Sequence, residues 1–183
     1  ELLKAGIRGK GGQMLKFAEL ETLPDMPHLH CTGHLDSGER VVVSFGPEHA
    51  ALEQRQVELA MREAGDLFPR PKMIVFCAFT FDPEAAKDID ATRGITALKV
   101  QMNTDLLTED LKKHRSNNQS FWLMGQPDVE VRPVDAKGKP RTLTPGPSPG
   151  GRGEFFVVEV NGFDYFDTTS GELRSGGKKN IAA

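Results

Sequence analysis

The stretch RVVVSFGPEHAALEQRQVELAMREAGDLFPRPKMIVFCAF, residues 40–79, decides the fold class. Its first seven residues are a β-branched run typical of a buried strand. An amphipathic helix is predicted from Pro47 to Gly65, because proline favours the first turn of a helix and glycine its end. KMIVFCAF, from Lys72 onward, predicts a second buried strand. Two continuous apolar strands joined by a helix indicate a parallel βαβ unit.

The same pattern continues downstream. Asp82 and Pro83 predict a short helix to about Ile89, and ITALKVQM, residues 95–102, predicts a third strand. After Ser116, runs such as EVRPV and VVEVNGFDYF alternate apolar with other residues, which favours antiparallel pairing. The predicted fold is therefore α/β, with a central parallel βαβαβ sheet that carries helices on its faces and is extended by antiparallel β-hairpins at both ends.

Four segments follow from this pattern. We expect a helix end and Gly-rich junction at residues 1–13, an α/β domain at 14–134, a mobile insertion at 135–153, and antiparallel strands completing the domain at 154–183. Proline and glycine dominate the insertion, so it cannot bury a core or continue a strand. The chain opens on Glu1 in a helical pattern, which indicates a piece of a longer protein or a processed start.

Composition narrows the class of protein. The chain has 183 residues, 38% hydrophobic and 27% charged, with a formal net charge of -3. This balance predicts a globular protein with no general attraction to nucleic acid, so DNA binding would have to be local. No apolar run approaches the roughly 20 residues that span a membrane. Cys31 and Cys77 form no spaced cluster, which favours reduced thiols and a cytoplasmic location without membrane partners.

A basic helix end is the first candidate binding surface. Asn103 or Thr104 is predicted to cap the helix DLLTEDLKKHR, whose acidic residues come early and basic residues late. Such a cluster could hold DNA phosphates, but lysine and arginine at a helix C-terminus also stabilise its dipole, and an Asn pair also makes a turn. The candidate contacts to DNA or a protein partner are Lys112, Lys113, His114, Arg115, Asn117 and Asn118.

The second candidate lies at the carboxyl edge of the sheet, where α/β proteins bind ligands. Glu48 and His49 follow the first strand, Asn103 follows the third, and Asp128 precedes a later strand. Together they could serve a hydrolytic or nuclease-like enzyme. Structural explanations also exist, since Glu48 at a helix start favours the dipole and Asn103 can cap the helix that follows it. Asp128 and Glu130 are neighbours on one strand, whereas nuclease chemistry needs carboxylates that converge on a metal ion.

The histidines are weak evidence for a metal site. His28 and His30 would share one face of a strand, with His34 at the following turn. Zinc needs about four converging ligands, and a histidine pair on a hairpin is more often solvated. We therefore expect no metal site.

Four stretches together resemble a known family. They are VVVSFGPEHAALEQRQVELA, IVFCAFTFDPEAAKDID, LKVQMNTDLLTEDLKKHRSNNQSFWLMGQPDVEV and VVEVNGFDYFDTTSGELRSGGKKNIAA. They resemble the region that follows the catalytic domain in bacterial site-specific, adenine-specific DNA methyltransferases of the type III restriction-modification kind. The family's Asp-Pro-Pro-aromatic turn and Gly-rich cofactor loop have no counterpart, since Asp82-Pro83 is followed by Glu84 and Ala85. No catalytic or cofactor residue is therefore assigned.

The resemblance implies an accessory C-terminal domain that assists DNA engagement or subunit assembly. S-adenosylmethionine would be the cofactor of the parent enzyme, and this chain itself would hold none. Implied partners are DNA, the catalytic methyltransferase domain, a restriction helicase–nuclease subunit and a second copy of the chain. Two alternatives remain: a protein–protein interaction module without DNA contact, and an independent hydrolase or nuclease-like domain.

Overall fold

The computed structural model describes residues 1–9, 13–107, 120–134, 155–167 and 172–177. Within these ranges the α-helices are α1 (Leu2–Ala5), α2 (Gln54–Asp66) and α3 (Pro83–Ala91), and a 3-10 helix spans Thr104–Leu107. The strands are β1 (Ile7–Arg8), β2 (Met14–Leu15), β3 (Phe17–Thr22), β4 (Cys31–Leu35), β5 (Arg40–Phe45), β6 (Met73–Ala78), β7 (Thr96–Met102), β8 (Phe121–Leu123), β9 (Gln126–Val134), β10 (Phe155–Asp167) and β11 (Glu172–Gly177). The predicted mixed α/β class is confirmed.

The chain forms two compact units. The barrel unit comprises residues 1–125 and 165–173, and the hairpin unit comprises residues 126–164 and 174–183. The barrel unit contains an eight-stranded mixed sheet in the order β2-β1-β8-β7-β6-β5-β4-β3, and a second sheet has the order β11-β10-β9. Strands β5, β6 and β7 are paired in parallel, and β4 is antiparallel to β5.

The eight-stranded sheet must curl until its two edges meet. Its edge strands, β2 and β3, are separated in the chain by Lys16 alone. A flat eight-stranded sheet would hold its edges roughly 34 Å apart, at about 4.8 Å per strand. Leu15 and Phe17 can be at most roughly 7 Å apart, because one residue lies between them. The sheet is therefore rolled into a barrel whose edges are joined through Lys16.

The inside of this barrel is one hydrophobic cluster to which all eight strands contribute. Val75 and Cys77 of β6 and Val100 of β7 lie at 0% exposure within it. The other buried members are Leu2, Ile7, Leu15, Phe17, Leu35, Val41, Val43, Met73, Leu98, Met102, Phe121 and Phe166. Burial raises the pKa of the Cys77 thiol far above its ordinary value, so this cysteine is a core residue.

The longer helices pack together on the outer face of the barrel. Val57, Ala60 and Ala64 of α2 fall at helical spacing and share one cluster with Ala85 and Ile89 of α3. The strand residues in this cluster are Val42, Ile74, Phe76 and Ala78, which alternate with the inward-facing positions. Both helices therefore cover the same side of the parallel strands.

Helix α2 begins later than the sequence predicts. Pro47 and Glu48 were expected to start it, but its first residue is Gln54. Leu52 is fully buried in an extended bridge to Phe81, where its amide nitrogen donates to the Thr80 carbonyl oxygen at 2.9 Å. Because this pairing holds the backbone extended, the helix cannot form before it. The expected dipole role of Glu48 is therefore wrong.

Helix α3 agrees with its prediction. The Asp82 side chain accepts a hydrogen bond from the Glu84 amide at 2.9 Å, and Pro83 occupies the first turn. Asp82-Pro83 is therefore a helix cap. Further along, Asp90 Oδ2 lies 2.5 Å from the buried Nζ of Lys99 on β7, which joins α3 to the sheet.

The hairpin unit has an amphipathic sheet. Facing residues of β9 and β10 place three apolar pairs on one side, which we call the apolar ladder: Val129–Val160, Val131–Val158 and Pro133–Phe156. Its valines and phenylalanine are 39–60% exposed. The opposite side carries Arg132, whose Nη2 lies 2.6 Å from Glu130 and 3.7 Å from Glu159.

Two further predictions concern other parts of the chain. The insertion expected at residues 135–153 lies outside the described residues, as does most of the helix predicted after Asn103. Of the helices in the described part of the chain, none has the length and hydrophobicity to cross a membrane.

Candidate functional site

A cleft of about 740 Å³ opens at the carboxyl end of β5, beside the start of α2. Ligands of α/β proteins bind at the carboxyl ends of parallel strands, and the volume of this cleft is that of a small-molecule site. Residues of the loop between β5 and α2 form part of its wall. Its lining residues are Pro27, His28, His30, Phe45, Gly46, Pro47, Ala50, Ala51, Glu53, Arg55, Gln56 and Leu59.

Glu63 on α2 fixes the position of His28. Glu63 Oε1 lies 2.6 Å from Nδ1 of His28, and Oε2 accepts from the amides of His28 and Leu29 at 3.1 and 3.0 Å. The side chains of His28 and Glu63 are 28% and 17% exposed. Because a carboxylate only accepts, Nδ1 of His28 must carry the proton, and in the neutral ring Nε2 is an acceptor.

His30 has the opposite tautomer to His28. Its Nδ1 accepts a hydrogen bond from the Phe45 amide at 3.0 Å, and its ring packs edge-on against the Phe45 ring with centroids 5.8 Å apart. In the neutral ring Nε2 therefore carries the proton. Burial lowers the pKa of His30, while the nearby Glu63 carboxylate opposes this and His28 adds to it. His30 is thus a neutral hydrogen-bond donor.

The inner wall of the cleft is tightly packed. Gln56 Nε2 donates to the Phe45 carbonyl oxygen at 2.7 Å and to the hydroxyl of buried Ser44 at 3.3 Å. A Cβ at Gly46 would lie only 2.9 Å from the Ala78 Cβ, so glycine is required for this close approach. The wall is therefore shaped before any ligand arrives.

The arrangement suits hydrogen-bond recognition or proton transfer. In the described ranges, no three His, Cys, Asp or Glu side chains are grouped as a metal site requires. His34, the third histidine of the sequence pattern, lies elsewhere and pairs through Nδ1 with Glu19 at 2.6 Å.

No protein-family model, curated protein or solved structure matches this chain. Fold and chemistry are the remaining guides to its site.

Glu48, His49 and Asn103 are not among the residues that line the cleft. The exposed side chains of Glu48 and His49 lie 3.9 Å from each other, in the loop that precedes α2. Asn103 follows β7, where its amide donates to the Ser120 carbonyl oxygen at 3.0 Å. Asp128 belongs to β9 in the hairpin unit. Among the candidates whose side chains the structure describes, Glu48 and His49, which are adjacent in the chain, are thus the pair that lies close together.

The basic cluster expected to contact DNA lies outside the described residues. This applies to every member of it: Lys112, Lys113, His114, Arg115, Asn117 and Asn118.

The sequence pattern missed part of the cleft. His28 and His30 were expected on a strand, but β4 begins at Cys31, so both precede it. Glu63 and Gln56 gave no local signal, because they approach the histidines only through the packing of α2. The clue available in the sequence was that Glu63 and Gln56 are polar residues beside the apolar positions of α2.

Proposed function

We propose that this chain is an accessory domain of a bacterial adenine-specific DNA methyltransferase of the type III restriction-modification kind. It would assist subunit assembly or DNA engagement, while the catalytic domain of the parent protein would bind S-adenosylmethionine and transfer the methyl group. The four-segment resemblance supports the parentage. Within this proposal, β5, α2, β6, α3 and β7 form a βαβαβ unit that is extended by antiparallel hairpins. Its crossovers are right-handed, as parallel βαβ crossovers almost always are.

The observation that carries the assembly role is the apolar ladder. Val131 and Val158, a facing pair within it, are 58% and 60% exposed. Contiguous exposed apolar side chains mark surfaces that pack against another protein. The opposite side carries Glu130, Arg132 and Glu159 together with Val157, so it is more polar than the ladder. We propose that the catalytic methyltransferase domain covers the ladder.

A pair of matched variants tests this assignment. Val131→Lys/Val158→Lys would place two charges within the ladder, and Val157→Lys would place one on the opposite face, where Val157 is 46% exposed. Binding to the catalytic domain from the same genome would be measured by titration calorimetry. We expect at least a tenfold loss of affinity for the double variant and little change for Val157→Lys. Equal affinities for all three proteins would exclude the ladder as the interface.

DNA engagement is tested by the dependence of binding on salt. Lys112→Ala/Lys113→Ala/Arg115→Ala should reduce the slope of log K against log salt by roughly one unit for each lost phosphate contact. Lys87→Ala is the control, because Lys87 is an exposed lysine on α3 paired with Glu84. Binding without salt dependence, or no binding, would remove DNA contact from the proposal and leave the interaction module.

A further inference from the structure

The cleft beside α2 is lined by two histidines whose Nε2 atoms have opposite hydrogen-bonding character. Nδ1 of His28 is engaged by Glu63, and Nδ1 of His30 is engaged by the Phe45 amide. In the neutral rings, Nε2 of His28 is therefore an acceptor and Nε2 of His30 a donor. Both residues line the cleft, and they are separated only by Leu29.

The two characters are fixed by the surroundings. Glu63 lies on α2 and is also bonded to two backbone amides, so it cannot turn away without leaving them unpaired. Protonation of His30 at Nδ1 would place two donors against each other, because the Phe45 amide points at that nitrogen. The cleft thus offers one acceptor and one donor before a ligand binds.

We infer that this cleft binds a small neutral ligand with an amide-like edge, in which an N–H donor lies beside an oxygen or ring-nitrogen acceptor. The ligand N–H would donate to His28 Nε2, and its acceptor would receive the proton of His30 Nε2. Carboxamides and nucleobases are the compounds that carry such an edge. This inference does not depend on the parentage proposed above.

The walls of the cleft suit a flat ligand, and the tautomer of His28 selects an amide over an acid even though Arg55 also lines the cleft. Phe45, Pro47 and Leu59 supply apolar surface around the two imidazoles. A carboxylate or phosphate has acceptors only, so it would leave the neutral His28 Nε2 without a donor. An unpaired acceptor in a half-buried site lowers affinity, and this distinguishes the amide from the acid.

The first test needs no ligand. Long-range proton–nitrogen NMR spectra distinguish protonated from unprotonated imidazole nitrogens. At about pH 8, where ordinary histidines are neutral, we expect an unprotonated Nε2 in His28 and an unprotonated Nδ1 in His30. The opposite tautomer in either ring would overturn the inference.

The second test compares nicotinamide with nicotinate, which share a ring and differ in the amide. Binding would be followed through the ring signals of His28 and His30 at about pH 8. We expect nicotinamide to bind with a Kd on the order of 1 mM, as a fragment does, and nicotinate to bind at least threefold more weakly. No shift with nicotinamide, or stronger binding of nicotinate or inorganic phosphate, would overturn the inference.

Glu63→Gln supplies the sharpest variant. The amide oxygen of Gln can keep the bonds to the His28 and Leu29 backbone, while its NH₂ group donates to His28 Nδ1. His28 would then switch tautomer and present a donor at Nε2, so the preference should reverse in favour of nicotinate. Glu19→Gln is the matched control, because Glu19 makes the same contact with His34 outside the cleft. An unchanged preference in Glu63→Gln, or a reversed one in Glu19→Gln, would contradict the assignment.

His30→Asn provides an independent check. Asn Oδ1 can still accept from the Phe45 amide, but the Nε2 donor is removed. We expect nicotinamide affinity to fall about threefold to tenfold, the loss typical of one hydrogen bond. Retained affinity in this variant would show that His30 does not contact the ligand.

Discussion

His30 links the cleft to the stability of the barrel unit. Burial lowers its pKa below the ordinary value of 6.5, so the folded protein takes up this proton less readily than the unfolded chain. The contribution of neutral His30 to the stability of the fold is therefore complete above about pH 6.5. It is lost as the pH falls from about 6.5 through the pKa that His30 has in the folded protein. Mild acid should weaken the fold through this residue.

We expect His30→Asn to flatten the acid side of the stability profile. Asn keeps an acceptor for the Phe45 amide and does not titrate. Urea unfolding between about pH 7.5 and 5 would measure the difference, which cannot exceed about 1.4 kcal/mol per pH unit for one group. His34→Asn is the control, because the His34 side chain is 45% exposed. Parallel profiles for wild type and His30→Asn would contradict the role of burial.

The elements were predicted well where local sequence decides them. The strands β5, β6 and β7 appear where their apolar runs lie, and Asp82-Pro83 starts α3. The start of α2 was wrong because Leu52 pairs with Phe81, a contact that the periodicity of the segment does not contain. The cleft escaped prediction because Glu63 and Gln56 reach His28 and Phe45 only through the packing of α2.

Lys99 and Asp90 provide a test of how α3 is attached to the sheet. Asp90→Ala would leave the Lys99 ammonium, 8% exposed, without its carboxylate, so we expect a loss of about 3–5 kcal/mol in the free energy of unfolding. Lys99→Met removes the charge but keeps the apolar stem, and should cost less. Adding it to Asp90→Ala should restore part of the stability.

Urea denaturation would measure these changes. Glu84→Ala is the control, because its partner Lys87 is 75% exposed and the pair is 3.7 Å apart. This change should cost about 0–1 kcal/mol. A similar cost for Asp90→Ala would show that the buried pair does not hold the helix.

At the scale of the whole molecule, the sequence indicated the α/β class but not the closure of the sheet. Pairing of β1 with β8 joins Arg8 to Trp122, and no local pattern encodes a contact between residues so distant in the chain. The two-residue strands β1 and β2 are also too short to show periodicity.

Closure of the barrel through Lys16 also constrains biosynthesis. Ile7 and Arg8 can pair with Met14 and Leu15 of β2 soon after they are made, but their other partner strand, Phe121–Leu123, follows much later in the chain. Until β8 is made, the sheet is incomplete and the core around Ile7 lacks Phe121. Contacts of such long sequence separation slow folding, because loop-closure entropy is lost before the contact forms. The pairing of β1 with β8 is therefore expected to form late in folding.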